Sequence, residues 1–226
     1  MKILLPLIVF ISFSWATTVS DMFNRTLTIT ANEKIVAVGP GTLRLLTYMQ
    51  LQKRLVGVEQ IELDFDTKAP YRGVLNKAFL TSLPVIAQGG PAKMPNIEAI
   101  IKVNPDIIFT SFLTKQQVET LQEKTGINVV ALSYGSNYGG KGDMQKLQAV
   151  KASLKLLGDI FDKSQRAREL VSFMDENENL LAHLNLDAKA YIGGIGYKGA
   201  KGLTSTESTY PPFALLGLNN AVTLQK

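Results

Sequence analysis

The sequence predicts an α/β protein with an N-terminal parallel-sheet lobe, a long connecting helix and the opening of a second, incomplete α/β lobe. Two observations carry this expectation. Short apolar runs alternate with amphipathic stretches from residue 34 to residue 132, the pattern of βα units on a largely parallel sheet. A long helical stretch then leads to a fresh apolar run at 189–192 and a Gly-rich loop.

Residues 34–38 (KIVAV) are the first predicted strand, followed by the Gly39-Pro40-Gly41 turn and a helix over 42–51. Short strands are expected at 55–58 and 83–86, and a helix at 97–103, where Ile97, Ile100 and Ile101 recur at helical spacing. The run 106–110 (DIIFT), a helix over 115–125 stopped by Gly126, and 128–132 (NVVAL) complete a further unit. Helices follow at 144–157 and 163–184. In the second, Ala167, Leu170, Val171, Met174, Leu181 and Leu184 keep mostly to steps of three and four. At 1.5 Å per residue that helix spans roughly 33 Å, which suits a rigid strut. The expected organisation is a lobe over 17–160, the connecting helix at 161–187 and the start of a second lobe at 188–226.

The N-terminus reads as a secretory signal peptide over residues 1–16. Lys2 supplies the positive start, residues 3–13 are apolar apart from Pro6 and Ser12, and Ser14 and Ala16 are small residues at the −3 and −1 positions. An apolar run of roughly 11 residues falls short of the roughly 20 needed to cross a bilayer. Without cysteine there is no disulfide, thiolate ligand, Cys nucleophile or lipid-modified Cys, so the expected location is the periplasm, and not as a lipoprotein. The net charge of +5 is mild and unclustered, which speaks against a nucleic-acid partner.

Gly39-Pro40-Gly41-Thr42 lies between a strand and a helix, where backbone N–H groups can meet an anion; a tight structural turn explains it equally well. It is not a dinucleotide fingerprint, because Arg44 stands at the final glycine position, and no Walker-type motif occurs. That weighs against the rival reading, a Rossmann-like phosphate or nucleotide enzyme. Tyr71-Arg72 can stack on and fork onto ligand oxygens, or form a solvated surface pair. Gly89-Gly90-Pro91, Thr110-Ser111 and Tyr134-Gly135 are expected at the same strand ends, where open α/β sheets bind ligands. Gly194, Tyr197, Lys198, Lys201, Ser205, Thr206 and Tyr210 fall on one loop whose lysines and hydroxyls suit an anionic complex, though a plain exposed loop has the same composition.

His183 is the single histidine, too little for a zinc or manganese carrier and remote from any serine nucleophile. The acidic pairs Asp64/Asp66 and Glu176/Glu178 point apart on a helix or sit in a polar loop. Catalysis is therefore not expected, and neither is a cofactor.

Several patterns in order over residues 34–222 resemble the periplasmic-binding proteins that serve ABC importers of iron-siderophores, haem and cobalamin. They are KIVAVGPGTLRLLTYM followed by RLVGVE, then LPVIAQGGPAKMPNIEAIIKVNPDIIF, LQEKTGINVVAL, LKLLGDIFDKSQRARELV and YIGGIGYKGAKGLTSTESTYPPFALLGLNNAV. The resemblance implies two α/β lobes joined by a long helix and a chelated metal captured between them, with the loops named above facing the cleft. It also implies a monomer that docks transiently on an inner-membrane permease, with Glu98 pairing with a permease arginine. Nickel or cobalt complexes, haem and cobalamin are the alternative cargoes. Members of the family continue further to complete the second lobe, so this chain is expected to be C-terminally truncated.

Overall fold

The computed structural model describes residues 16–30, 34–64, 69–134, 143–182, 184, 186, 188–195, 202–206 and 210–221. Strand β3 (Ile35–Val38) reads IVAV and is buried on both faces. It pairs in parallel with β6 (Ile107–Thr110), and β6 with β7 (Asn128–Ala131). Strands β4 (Val58–Glu59) and β5 (Val85–Ala87) pair with each other, and the parallel bridge between Ile35 and Leu55 joins them to β3. The spatial order is therefore β5-β4-β3-β6-β7, with helices on both sides.

The period of two along each strand divides the apolar residues between two cores. Ile35, Ala37, Ile107 and Phe109 face one side with Leu46, Leu157 and Ile160. Helices α1 (Thr42–Tyr48), α6 (Asp143–Ile160) and α7 (Ser164–Ala182) cover it. Val36, Val38 and Ile108 face the other, under α4 (Ile97–Val103) and α5 (Lys115–Thr125), which supply Ile100, Val118 and Leu121. Both of these helices carry their own boundaries. The Asn96 carboxamide accepts from Ala99 N–H, Thr114 and Gln117 form a reciprocal capping box, and Asn104 and Gly126 end the helices in the left-handed region.

Two features depart from the sequence expectation. The strand expected at 55–58 is shifted to Val58–Glu59, because Leu55 makes only a single bridge. An antiparallel hairpin, β1 (Ala16–Ser20) and β2 (Thr26–Thr30), precedes the first expected strand, and its turn docks on β7 through Met22 N–H to Ala131 O at 3.1 Å. The connecting helix α7 also lies along α6. Ala167 and Val171 are buried in the first core, and Lys151 of α6 reaches Asp175 at 2.6 Å and Glu178 at 2.7 Å on α7. Burial works to lower the Lys151 pKa, but the two carboxylates outweigh it and raise the pKa.

Shorter elements complete the chain: α2 (Gln60–Asp64), a 3-10 turn (Pro70–Val74) and α3 (Lys77–Ser82) lie between β4 and β5. After α7, β8 (Lys189–Ala190) and β9 (Asn219–Asn220) pair in parallel around α8 (Pro211–Leu215), which rests on α6 and α7. No helix among the described residues is long and apolar enough to cross a membrane.

Candidate ligand-binding site

From β3 the chain proceeds outward to β4 and β5 on one side, then returns to lay β6 and β7 on the other. The reversal between β3 and β6 opens a crevice beyond the strands' carboxyl ends, the place where open α/β sheets hold ligands. The loops that meet there touch closely. Gly39 has φ +88°, and a Cβ on it would stand 2.3 Å from the Ser111 carbonyl oxygen, so only glycine permits the contact. Gly39 N–H donates to Glu59 Oε1 at 3.1 Å. Thr42 Oγ1 lies 2.9 Å from both Val38 O and Ser111 Oγ, and Ser111 Oγ donates to Pro40 O at 2.6 Å.

These hydroxyls are buried. Thr42 and Ser111 therefore stitch the loops together instead of presenting oxygens to the crevice. Thr110 is the last residue of β6, in register with Ile108, and points into the second core, where its hydroxyl has no partner among the described residues.

A further cation at these strand ends, Arg44, packs against Tyr71 and Tyr134 without lining either cavity described below. Gly41, the residue before α1, has φ +79°, and a Cβ there would fall 2.3 Å from Cγ of Tyr134. The Tyr134 ring thus packs against bare backbone. One helical turn on, the Arg44 guanidinium carbon lies 5.1 Å from the ring centroids of both Tyr71 and Tyr134. Cation–π attraction of about 0.5–2 kcal/mol per ring holds it there. Its Nη1 donates to the Tyr134 hydroxyl, and its Nε is buried without a partner among the described residues. At seven residues α1 is a short dipole, so Arg44 is the larger source of positive potential. Burial raises the Tyr134 pKa although Arg44 opposes it. Burial and the Glu62 charge raise that of Tyr71 against Arg72.

Arg72 is placed differently from the sequence expectation. Its Nη2 lies 2.5 Å from Glu62 Oε2, its Nη1 donates to Glu62 O, and its Nε donates to the Tyr71 hydroxyl at 3.1 Å. The Tyr71 hydroxyl in turn donates to Glu62 Oε2 at 3.1 Å. The fork expected to receive ligand oxygens is spent on Glu62. Pro40, Gly41, Glu59, Glu62, Tyr71, Arg72 and Gly90 are among the residues that line an open cavity of about 200 Å³. Gly89 must also be glycine, since a Cβ on it would meet Ile61 at 2.3 Å. Glu59 is buried at the floor. Desolvation pushes its pKa up to about 7, the Gly39 N–H acting against this and the Glu62 charge with it.

A separate groove of about 680 Å³ is lined by Met22, Phe23, Phe112, Leu113, Leu132 and Tyr134 among others. Phe112 has φ +61°, a strained conformation for a bulky residue, at the carboxyl end of β6. Arg44, Glu59, Glu62, Phe112 and the hairpin tip are not among the site residues expected from the sequence. For Arg44 alone there was a usable signal, its i+3 spacing from Gly41.

The remaining expected residues lie elsewhere. Gly194 has φ +77°, Ser205 Oγ donates to Ile195 O at 2.8 Å, and Tyr210 packs edge-on against Phe213 at 5.1 Å. Thr206 carries a buried hydroxyl with no partner among the described residues. None of these four lines either cavity above. Tyr197, Lys198, Lys201, Gly135 and His183 lie outside the described residues. Glu98 is exposed in the first turn of α4, which begins at the same sheet edge as the crevice. Among the described residues, no three His, Cys, Asp or Glu gather where they could hold a metal ion.

A doubly wound parallel sheet with a crevice at its switch point defines a ligand-binding α/β lobe. The chain belongs to the periplasmic binding protein family, whose model matches residues 35–183. The curated molybdate-binding protein MolA of Haemophilus influenzae is 24% identical over 179 residues, 73% of this chain and 48% of its own length. A periplasmic solute binding protein from Veillonella parvula superimposes with a TM-score of 0.60 at 19% identity, over 93% of this chain and 61% of that one. The siderophore binding protein BauB, bound to two molecules of acinetobactin and ferric iron, gives 0.61 at 18% identity, over 92% and 68%. The chain thus spans about half the length of the curated relative it matches.

Proposed function

We propose that the protein is the extracytoplasmic substrate-binding component of an ABC importer, capturing a chelated metal such as an iron-siderophore complex and delivering it to a permease. The observation that carries this is the Arg44 guanidinium held between Tyr71 and Tyr134 at the sheet's switch point. An arginine between aromatic rings grips the periphery of an anionic complex by charge and by π faces, and leaves the metal's coordination to the chelator. The siderophore-bound relative of the same fold supports this reading. The residue 1–16 leader fits export, and Glu98, exposed in the first turn of α4, is the residue proposed to pair with a permease cation.

A second reading, a bare oxyanion such as molybdate, is favoured by the name of the curated relative and by the same Arg44. Calorimetric titration of the protein with ferric catecholate, ferric hydroxamate, haem, cobalamin, nickel and cobalt chelates and molybdate decides between them. The expected result is saturable binding of a ferric chelate that Arg44→Met weakens at least about tenfold. Binding of molybdate alone would replace the chelate reading.

A further inference from the structure

We propose that Glu59 determines which ligand charge the crevice accepts: an anionic ligand is held over its neutral carboxyl, so capture of an anion above neutral pH takes up a proton from solvent. The inference rests on the chelate reading and deepens it. Three observations lead to it.

Glu59 lies inside the site. It ends β4 at the carboxyl edge of the sheet and is one of the residues lining the cavity of about 200 Å³, yet only 4% of it is exposed. The neighbouring loops fix it there. Gly39 N–H donates to its Oε1 at 3.1 Å, and the Gly89 backbone comes so close that a Cβ on Gly89 would stand 3.4 Å from the Glu59 Cβ. A ligand edge that enters this open cavity meets a carboxyl that cannot swing out into water.

Among the described residues, no cation pairs with Glu59. From α2, Glu62 brings a second negative charge, and the 3-10 turn brings Tyr71 and Arg72. Arg72 is committed to Glu62 at 2.5 Å, and the Tyr71 hydroxyl donates to the same carboxylate. The turn before α1 contributes Pro40 and Gly41 and no titratable side chain, while Arg44 packs on the Tyr71 ring. Strand β5 sets Ala87 beside Glu59, and in the loop after it the exposed Lys93 lies against Gly90. The Glu62–Arg72 pair is neutral as a unit, so the charge of the cavity lining follows that of Glu59.

That charge is poised to change with the ligand. Burial, helped by the Glu62 charge, raises the Glu59 pKa to about 7 against the Gly39 N–H bond. An anion in the cavity is a further like charge and raises it again. The bound value then exceeds the free one, so affinity for an anion is fullest below the free value and falls as pH rises through it. The neutral carboxyl also has an O–H to donate to a ligand oxygen, which the carboxylate lacks. An uncharged ligand brings no such repulsion, so one residue separates anionic from uncharged complexes by pH.

The test is calorimetric titration of purified wild-type and Glu59→Gln proteins from pH 6 to pH 8.5. The probes are a hexadentate ferric tris-catecholate, an anion of constant charge over that range, and a ferric tris-hydroxamate without net charge. Expected for wild type is an affinity for the anionic chelate about tenfold lower at pH 8.5 than at pH 6. Proton uptake at pH 8 should appear as a binding enthalpy that varies with the ionisation enthalpy of the buffer. Glu59→Gln should hold the anionic chelate within about twofold across the range, and the uncharged chelate should show no pH dependence in either protein. A wild-type affinity that ignores pH, or a pH dependence that survives in Glu59→Gln, overturns the role of Glu59 while leaving capture of chelates intact. Binding of the uncharged chelate alone, or absence of proton uptake by wild type, overturns it equally, whatever the fate of the variant. Failure of the wild-type protein to bind either chelate overturns the chelate reading and this inference with it.

Discussion

Glu59→Gln isolates the electrostatic cost of building the crevice floor. The native Glu59 pKa is raised to about 7 from an ordinary 4.5, with burial the main cause. Between those two pH values the folded protein holds a proton that the unfolded chain has released, so stability falls as pH rises through this window. Below pH 4.5 the penalty is absent, and above pH 7 it is complete. A shift of this size corresponds to on the order of 3 kcal/mol. Glutamine keeps an oxygen to accept the Gly39 N–H bond and carries no charge at any pH. The variant should match wild type near pH 4 and exceed it by about 3 kcal/mol at pH 8. For a chain of this size that is about 6–12 °C in Tm. Thermal unfolding followed by circular dichroism from pH 4 to 9 reads the difference directly. A Tm difference that does not vary with pH would refute the assignment of the penalty to this carboxylate.

Gly41→Ala places a Cβ 2.3 Å from Tyr134 Cγ at a backbone φ of +79°. It should cost about 1–2 kcal/mol in a urea melt and displace the ring that carries Arg44, with ligand affinity falling alongside; undiminished affinity would show that the stacked geometry is not used. Lys151→Met leaves Glu178 without its cation between α6 and α7, and should cost about 3 kcal/mol at neutral pH. Because the Lys151 pKa is raised, this stabilisation is complete below the unfolded value and fades as pH rises through the folded one, so the deficit should narrow only in strong alkali. Glu98→Arg should leave chelate affinity unchanged and reduce uptake in cells by an order of magnitude; normal uptake would remove Glu98 from docking.

The sheet was legible because its strands are short apolar runs, and the helices because their ends are written in side chains. Asn96, Thr114 and Gly126 each mark a boundary by a local hydrogen bond or a backbone angle, which neighbouring residues alone determine. The hairpin was not legible for the opposite reason. Its two strands, TLTIT among them, alternate as a strand should, but a two-stranded unit is marginal on its own, and what holds it is the buried Asp21–Arg25 pair docking on β7. That contact spans more than a hundred positions and leaves no periodic trace.

The site divides along the same line. Its glycines could be read, since Gly39, Gly41 and Gly89 stand where a side chain would strike a neighbouring loop. Its polar residues were misassigned in a regular way, because the sequence reveals that Thr110 carries a hydroxyl but the direction of that hydroxyl follows from strand parity. Counting by twos from Ile108 turns Thr110 into the core, a deduction available without any structure. Arg44 yields to the corresponding count only in part. Three residues from Gly41 places it on the crevice side of α1, yet what makes it a clamp is Tyr134, 90 positions away. Local periodicity therefore assigns which residues face the crevice, and long-range packing assigns how each of them is held.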